Sequence, residues 1–106
     1  MNIVEKQINN VERLCKKHKV RNLYLFGSVL TDRFSDKSDI DMVVEFKRMP
    51  IRTYADNYFD LKFALQDTFS RDVDLLENQA IRNPILKRSI DRNKQLIYGK
   101  KKLMDY

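Results

Sequence analysis

Two acidic residues with one residue between them stand at the head of an apolar run in this 106-residue chain. Asp39 and Asp41 flank Ile40, and the segment MVVEF follows. Because side chains of a β-strand alternate between its two faces, these carboxylates should lie on the same face. A third acid, Asp74, lies in a later short apolar stretch, SRDVDLLE. Carboxylate oxygens are ligands that Mg²⁺ prefers, so the three aspartates are candidate metal ligands.

A glycine-serine pair precedes the acidic pair and directly follows another apolar run. Gly27-Ser28 comes after VRNLYLF and opens a segment that we predict to form a short helix over residues 28–33. The first turn of a helix has unpaired backbone N–H groups, which bind anions. Gly27 would let the backbone approach a phosphate closely, and Ser28 would add a hydroxyl. Together with the carboxylates, this turn predicts a site for a metal-bound nucleoside triphosphate.

The three carboxylates would converge if the strands that carry them are neighbours in one sheet. Two Mg²⁺ ions about 3.5 to 4 Å apart activate an attacking oxygen and stabilise a leaving one during in-line displacement. In this scheme Asp39 and Asp41 hold the ion that carries the triphosphate, and both also touch the ion that activates the acceptor. Asp74 completes the shell of that second ion. The predicted reaction is nucleotidyl transfer.

Each part of this pattern is common when it occurs alone. Gly-Ser is a frequent turn, Asp-x-Asp is a frequent solvated strand end, and Asp74 alone would suit an exposed strand position. The combination is more specific, because a third acid also occurs on a later strand, as the two-ion scheme requires. The functional interpretation therefore depends on all three parts together.

The apolar pattern places these motifs within alternating helices and strands. It predicts helices over 3–18 and 52–69 and from Asn83-Pro84 to about residue 92, and strands over 20–26, 40–46, 70–77 and 95–98. Asn83 is a typical helix N-cap, and Pro84 suits the first helical position. The order predicts an α/β fold with a mixed sheet of about four strands flanked by helices. The length predicts one domain over residues 1–106.

Charge and targeting patterns narrow the class of protein. The 21 Lys and Arg residues exceed the 15 Asp and Glu residues, giving a net charge of +6. This charge suits nucleic acid, a nucleotide or an acidic protein and does not choose among them. Three lysines at 100–102 are typical of a solvated tail, so direct nucleic-acid binding is not expected. No secretion signal or long apolar run is present, which predicts a cytoplasmic protein without membrane association.

Cysteine and histidine are too few for a zinc site. Cys15 is the single cysteine and cannot form an internal disulfide, which fits a reducing compartment. Cys15 and His18 have the spacing of a ligand pair, but His18 is the only histidine, and structural zinc needs four ligands. We therefore expect an ordinary helix residue and a solvated helix end.

The segment Gly27-Ser28, ten residues and then Asp39-Ile40-Asp41 resembles the signature of the minimal nucleotidyltransferases of the polymerase-beta superfamily. Val73-Asp74-Leu75 resembles their third-carboxylate strand. The resemblance implies a polymerase-beta-like palm with Asp39, Asp41 and Asp74 as the catalytic and metal-binding residues, ATP as substrate and Mg²⁺ as cofactor. Family members of this size commonly act as antitoxins of a HEPN-domain toxin, some by transferring AMP from ATP to a tyrosine of that ribonuclease.

The chain departs from this family at one place. Leu30-Thr31-Asp32 stands where the family typically has Ala-Arg-Gly, so the usual basic residue near the phosphates is absent. Asp32 adds a negative charge there, and Arg33 is the candidate substitute. The departure leaves a second interpretation open, in which a catalytically weakened palm neutralises the toxin by binding alone. A third interpretation, nucleotide addition to RNA, rests on the basic charge.

A chain of this length has no second lobe to hold a base or an acceptor. Specificity must therefore come from another surface, either a second copy or a different protein. We expect a homo- or hetero-oligomer, with a HEPN toxin and a nucleoside triphosphate as the partners that the resemblance implies.

Overall fold

The computed structural model describes residues 3–100 and contains four helices and four strands in that range. In chain order they are α1 (Ile3–Lys6), α2 (Ile8–Lys17), β1 (Val20–Phe26), β2 (Ile40–Phe46), α3 (Ile51–Phe69), β3 (Val73–Glu77), α4 (Pro84–Asn93) and β4 (Gln95–Tyr98). Two single turns of 3₁₀ helix cover Gly27–Leu30 and Asn78–Ala80. No helix within the described range is both long and apolar enough to cross a bilayer.

The four strands form one mixed sheet in the order β3-β2-β1-β4. β2 pairs antiparallel with β1 and parallel with β3, and β4 pairs antiparallel with the other edge of β1. This confirms the predicted mixed sheet of four strands. The third strand begins later than predicted, at Val73, because Ser70 adopts a left-handed conformation (φ 54°) that ends α3.

The two faces of the sheet are covered unequally. One face packs against α2 and α3 and forms the main core, which includes Leu23, Met42 and Leu75 from the sheet and Leu61 and Leu65 from α3. Burying a leucine of this kind contributes about 1.5–3 kcal/mol relative to leaving it exposed. On the other face, α4 is the only α-helix among residues 3–100. The core on this face is much smaller and consists of Tyr24, Val43 and Ile90. Strand alternation puts Asp41 on the same side as Val43, so it lies on the thinly covered face.

The predicted N-terminal helix is interrupted at Gln7. Gln7 has φ −110° and ψ 16°, and its N–H donates to the carbonyl of Val4 at 3.0 Å in a tight turn. Its side-chain oxygen accepts a hydrogen bond from Asn10 Nδ2 at 2.7 Å, which stabilises the break. Apolar spacing continues through this turn, which is why the sequence pattern predicted one helix.

The expectation that His18 is a solvated helix end is wrong. Its side chain is buried, and Nδ1 lies 2.8 Å from the carbonyl oxygen of Leu14, so the ring caps the end of α2. Asn57 Nδ2 donates to the carbonyl of His18 at 2.7 Å and ties this end to α3. Cys15 is a helix residue, as predicted, and it is buried; burial together with the charge of Glu12 raises the pKa of its thiol to about 12.

The C-terminal end of the sheet agrees with the sequence pattern. Asn83 caps α4, since its side chain accepts hydrogen bonds from the N–H groups of Ile85 and Leu86. The edge strand β4 ends at Gly99, which has a φ of 107°. Lys101 and Lys102 of the predicted basic tail lie outside the described residues, while Lys100 is exposed.

Candidate active site

The parallel pairing of β2 and β3 places two of the candidate carboxylates side by side. Asp41 lies directly opposite Asp74 in the register of the two strands. Because both strands run in the same direction, they begin at the same edge of the sheet. Asp39 immediately precedes the first residue of β2 and is therefore at that edge too. The two strands that the sequence argument required to be neighbours are therefore adjacent, and the three aspartates belong to their starts.

The carboxyl of Asp41 is affected by the negative charges of both other aspartates. Asp41 is half-buried, whereas Asp39 and Asp74 are exposed. Burial raises the pKa of the Asp41 carboxyl above its usual value, and the negative charges of Asp74 and then Asp39 raise it further. Like charges that share a site disfavour ionisation in this way. A bound cation would reverse the effect.

The donor set fits Mg²⁺ in chemistry, although its ligand geometry is not assembled. Across residues 3–100 no three His, Cys, Asp or Glu side chains are arranged so that they could hold a metal ion as they stand. Mg²⁺ keeps several waters and needs only one or two carboxylates with substrate phosphates, which suits this all-carboxylate group. The uncompensated charge that raises the pKa of Asp41 is a further point of fit. The assignment of Asp39, Asp41 and Asp74 as metal ligands stays a prediction.

Gly27 lies directly against the carboxylate of Asp41. Its φ is 77°, and a Cβ added there would lie 2.5 Å from Oδ2 of Asp41, well inside contact distance. Phe26, the preceding residue, pairs with Asp41 across β1 and β2. The sequence argument assigned Gly27 to close approach of a phosphate. The structure adds a different requirement, because only glycine leaves room for the Asp41 carboxylate.

The segment after Gly27 is shorter than the predicted helix over residues 28–33. The 3₁₀ turn ends at Leu30, and both the N–H and the hydroxyl of Thr31 donate to the carbonyl of Ser28 at 2.9 Å. The N–H of Arg33 then donates to Oγ1 of Thr31 at 3.1 Å. One 3₁₀ turn has little aligned dipole, so anion binding here depends on local N–H groups and the Ser28 hydroxyl.

One cavity of about 690 Å³ contains all three predicted nucleotide-binding residues in its wall. Gly27, Ser28 and Arg33 line it. Its volume is in the range of small-molecule binding sites. Arg33, the candidate substitute for the missing basic residue, lines this cavity, whereas Asp32 is not among the described residues that do.

The opposite wall of the cavity comes from α4, which the sequence analysis did not include in the site. Leu86, Ser89, Ile90 and Asn93 line it, at helical spacings of three, one and three. Asn93 Nδ2 donates to the carbonyl of Ser89 at 3.0 Å, which fixes the orientation of that amide. The signal in the sequence was a pair of uncharged polar residues four apart, beside buried Ile90 in an otherwise strongly basic helix.

A sequence model of the family described as polymerase beta, nucleotidyltransferase matches residues 9–103. The chain belongs to this family. Its membership confirms the resemblance drawn from Gly27-Ser28 and Asp39-Ile40-Asp41, and the protein is a nucleotidyltransferase. A Methanocaldococcus jannaschii protein named as a candidate protein adenylyltransferase is 40% identical over 85 residues, covering 80% of this nucleotidyltransferase and 82% of the relative.

Two solved structures share the fold of this nucleotidyltransferase. A candidate minimal nucleotidyltransferase is 24% identical with a TM-score of 0.74, covering 90% of this chain and 95% of the other. A complex described as a tri-AMPylated Shewanella oneidensis HEPN toxin with its MNT antitoxin contains a chain 21% identical with a TM-score of 0.63, covering 91% of this chain and 72% of that one. At these identities the likeness shows the polymerase-beta-like fold.

Proposed function

We propose that this nucleotidyltransferase transfers AMP from ATP to a tyrosine hydroxyl of a HEPN toxin, in a reaction that depends on Mg²⁺, and so acts as its antitoxin. The observation that carries the proposal is the pairing of Asp41 with Asp74 next to Gly27. The name of the archaeal relative and the AMPylated toxin in the complex of similar fold support the choice of AMP and of a HEPN acceptor.

ATP binds in this proposal with its phosphates between the carboxylate edge and the cavity. Ser28 donates its hydroxyl and Arg33 its guanidinium to the outer phosphates, since both line the cavity beside Gly27. Arginine pairs with phosphate through two parallel N–H donors, which orients as well as binds it. Asn93 and Leu86 on α4 contact the remainder of the nucleotide from the opposite wall.

The transfer itself is an in-line displacement at the α-phosphorus. Mg²⁺ held by Asp39, Asp41 and Asp74 would neutralise the phosphates and lower the pKa of the acceptor hydroxyl. The acceptor oxygen forms a bond to the α-phosphorus, and the bond from that phosphorus to the oxygen bridging to the β-phosphate breaks. Pyrophosphate leaves with the electron pair, and the hydroxyl proton is released to solvent. Ser28 and Arg33 hold the departing pyrophosphate.

The test is transfer of label from α-³²P-ATP to the protein encoded by the adjacent reading frame, with Mg²⁺ present. Asp41→Asn should lower the initial rate at least about 100-fold, because loss of even an indirect partner of a metal ligand typically costs 10–100-fold. Asp91→Asn is the matched control, since Asp91 on α4 pairs with Lys87 and Lys94 and belongs to neither of the two strands that carry the three candidate metal ligands. An unlabelled partner, or equal rates for wild type and Asp41→Asn, would refute the proposal.

The alternative is neutralisation of the toxin by binding alone, which the absence of a basic residue in Leu30-Thr31-Asp32 favours. The same Asp41→Asn variant separates the two. Under the proposed function it fails to inhibit the ribonuclease activity of the partner, because no AMP is transferred. If the variant inhibits as well as wild type does, binding alone is the function.

A further inference from the structure

Arg71, which neither the sequence motif nor the cavity includes, connects the start of β3 to the loop that leads into β2. Its Nη1 donates to the carbonyl of Ser35 at 3.0 Å and to that of Ser38 at 2.9 Å. The guanidinium carbon also lies 4.6 Å from the centre of the Phe34 ring. One side chain thus contacts three residues of a loop that is more than 30 positions away in sequence.

These contacts meet at the peptide bond that leads to Asp39. The carbonyl of Ser38 belongs to the peptide linking Ser38 to Asp39, so Arg71 fixes the N-terminal side of this aspartate. On its C-terminal side, the N–H of Ile40 donates to the carbonyl of Asp72 at 3.1 Å. Residues 71 and 72 therefore hold both neighbours of Asp39 against the strand that carries Asp74.

Asp39 needs such support because the sheet does not supply it. β2 begins at Ile40, so Asp39 lies outside the strand, and it is exposed. The preceding turn is closed by local bonds, with the N–H of Ser38 donating to the carbonyl of Ser35 and the N–H of Ser35 to Oγ of Ser38, both at 3.0 Å. These bonds lie within the turn, and Arg71 connects the turn to the start of β3.

We propose that Arg71 is a positioning residue for Asp39, which sets the separation of the Asp39 and Asp74 carboxylates by holding the Ser38–Asp39 peptide at the start of β3. This inference rests on the proposed function for the role of Asp39 as a metal ligand. Arginine suits this geometry, because its Nη1 donates to two carbonyls while the guanidinium carbon lies over an aromatic ring. A lysine ammonium has the charge without that fixed shape.

The first experiment measures Mn²⁺ affinity by electron paramagnetic resonance for wild type, Arg71→Met and Arg71→Lys. Methionine keeps the apolar stem of arginine without its charge or its donors. The dissociation constant of the Arg71→Met variant for Mn²⁺ should rise about 10- to 100-fold, as expected for the loss of a residue that orients a metal ligand. Lysine should restore part of the affinity. Arg13→Met is the matched control, because Arg13 is an exposed arginine on α2. This helix packs against the face of the sheet opposite to the one that carries Asp41.

The second measurement is amide hydrogen exchange at Ile40, which needs no metal. Loss of the Arg71 anchor should speed exchange of this amide in Arg71→Met and leave amides in the middle of β1 unchanged. Faster exchange at Ile40 with an unchanged melting temperature of Arg71→Lys would indicate local release of the loop. A lower melting temperature, with faster exchange in β1 as well, would indicate a general loss of stability.

The results separate this inference from the proposed function. If wild type binds Mn²⁺ and labels its partner, while Arg71→Met has the same Mn²⁺ affinity and the same Ile40 exchange, the inference is wrong and the proposed function stands. If Arg13→Met loses as much affinity as Arg71→Met, the effect is one of net charge, which also overturns the inference. If wild type binds no Mn²⁺, the proposed metal site fails, and the role of Arg71 at that site fails with it.

Discussion

Asp41 and Asp91 are aspartates in opposite electrostatic surroundings. Burial raises the pKa of Asp41, and the charges of Asp74 and Asp39 raise it further. Burial also acts upward on Asp91, but Lys87 Nζ at 2.9 Å and Lys94 Nζ at 3.0 Å outweigh it, so the pKa of that carboxyl lies below its usual value. One end of the sheet thus gathers like charges without a positive partner, whereas the charge of Asp91 on α4 is compensated by two lysines.

The lack of a positive partner at Asp41 does not come from a shortage of basic residues, because the chain has 21 Lys and Arg residues. The effects that shift the pKa of Asp41 are burial and two neighbouring carboxylates, and they include no positive partner. Such a group lowers stability and is typical of a functional site, where the missing charge arrives with a ligand. The Asp91 group needs no ligand, and we expect it to behave as an ordinary surface ion pair.

The largest expected effect is therefore stabilisation by a divalent cation that depends on Asp41 but not on Asp91. Mg²⁺ at one hundred times its dissociation constant should raise the free energy of unfolding of wild type by about 2.7 kcal/mol, by mass action on the folded state. Asp41→Asn should lose most of this gain, and Asp91→Asn should keep it. Urea unfolding with and without Mg²⁺ measures all three, and K⁺ at equal ionic strength corrects for screening. Equal gains in the two variants would contradict the comparison.

The next effect is steric and concerns Gly27→Ala. Its φ of 77° disfavours any side chain, and the new Cβ would lie 2.5 Å from the Asp41 carboxylate, so unfolding free energy should fall by about 1–3 kcal/mol. Asp41→Ala removes the atom that clashes. The double variant should then lose less stability than the sum of the single variants, with a coupling of about 0.5 kcal/mol or more. Additive losses would show that backbone strain alone makes glycine necessary here.

Much of the fold could be predicted because it follows from local patterns. The alternation in residues 40–46 separates Ile40, Met42 and Val44 from Val43, and these residues belong to the two different core clusters in that way. The pairing of β2 with β3 was not predicted from the sequence and entered only as a condition that the metal site requires. Strand pairing depends on contacts between segments that are distant in the sequence. Their register, which puts Asp41 opposite Asp74, came from the structure.

The parts that were missed depend on contacts between residues far apart in the chain. Arg71 reads as one of many basic residues, and its role appears only when its guanidinium reaches the Ser35 and Ser38 carbonyls. The α4 wall of the cavity was missed because a helix that packs on the sheet is expected to supply core residues, as Ile90 does. The length of the Gly27–Leu30 turn was overestimated because the bonds of Thr31 to the Ser28 carbonyl end it.

The smallest expected effect distinguishes the two aspartates by the sign of their pH dependence. An acid whose folded-state pKa is raised, as for Asp41, contributes stability that is present below its unfolded value of 3.8 and is lost as pH rises through the folded value. An acid whose folded-state pKa is lowered, as for Asp91, contributes stability that is present above 3.8 and is lost as pH falls through the folded value.

As pH rises from 3 to 7 without Mg²⁺, the unfolding free energy of Asp41→Asn relative to wild type should therefore increase. The unfolding free energy of Asp91→Asn relative to wild type should decrease over the same range. The Asp91 loss should be only about 0.3–0.5 kcal/mol, since its carboxylate is 42% exposed and its two lysine partners are one helical turn away. Urea unfolding of both variants and wild type across this pH range measures the difference. Changes of the same sign in both variants would mean that the carboxylate edge carries no excess of negative charge, which would remove the electrostatic argument for a cation at Asp41.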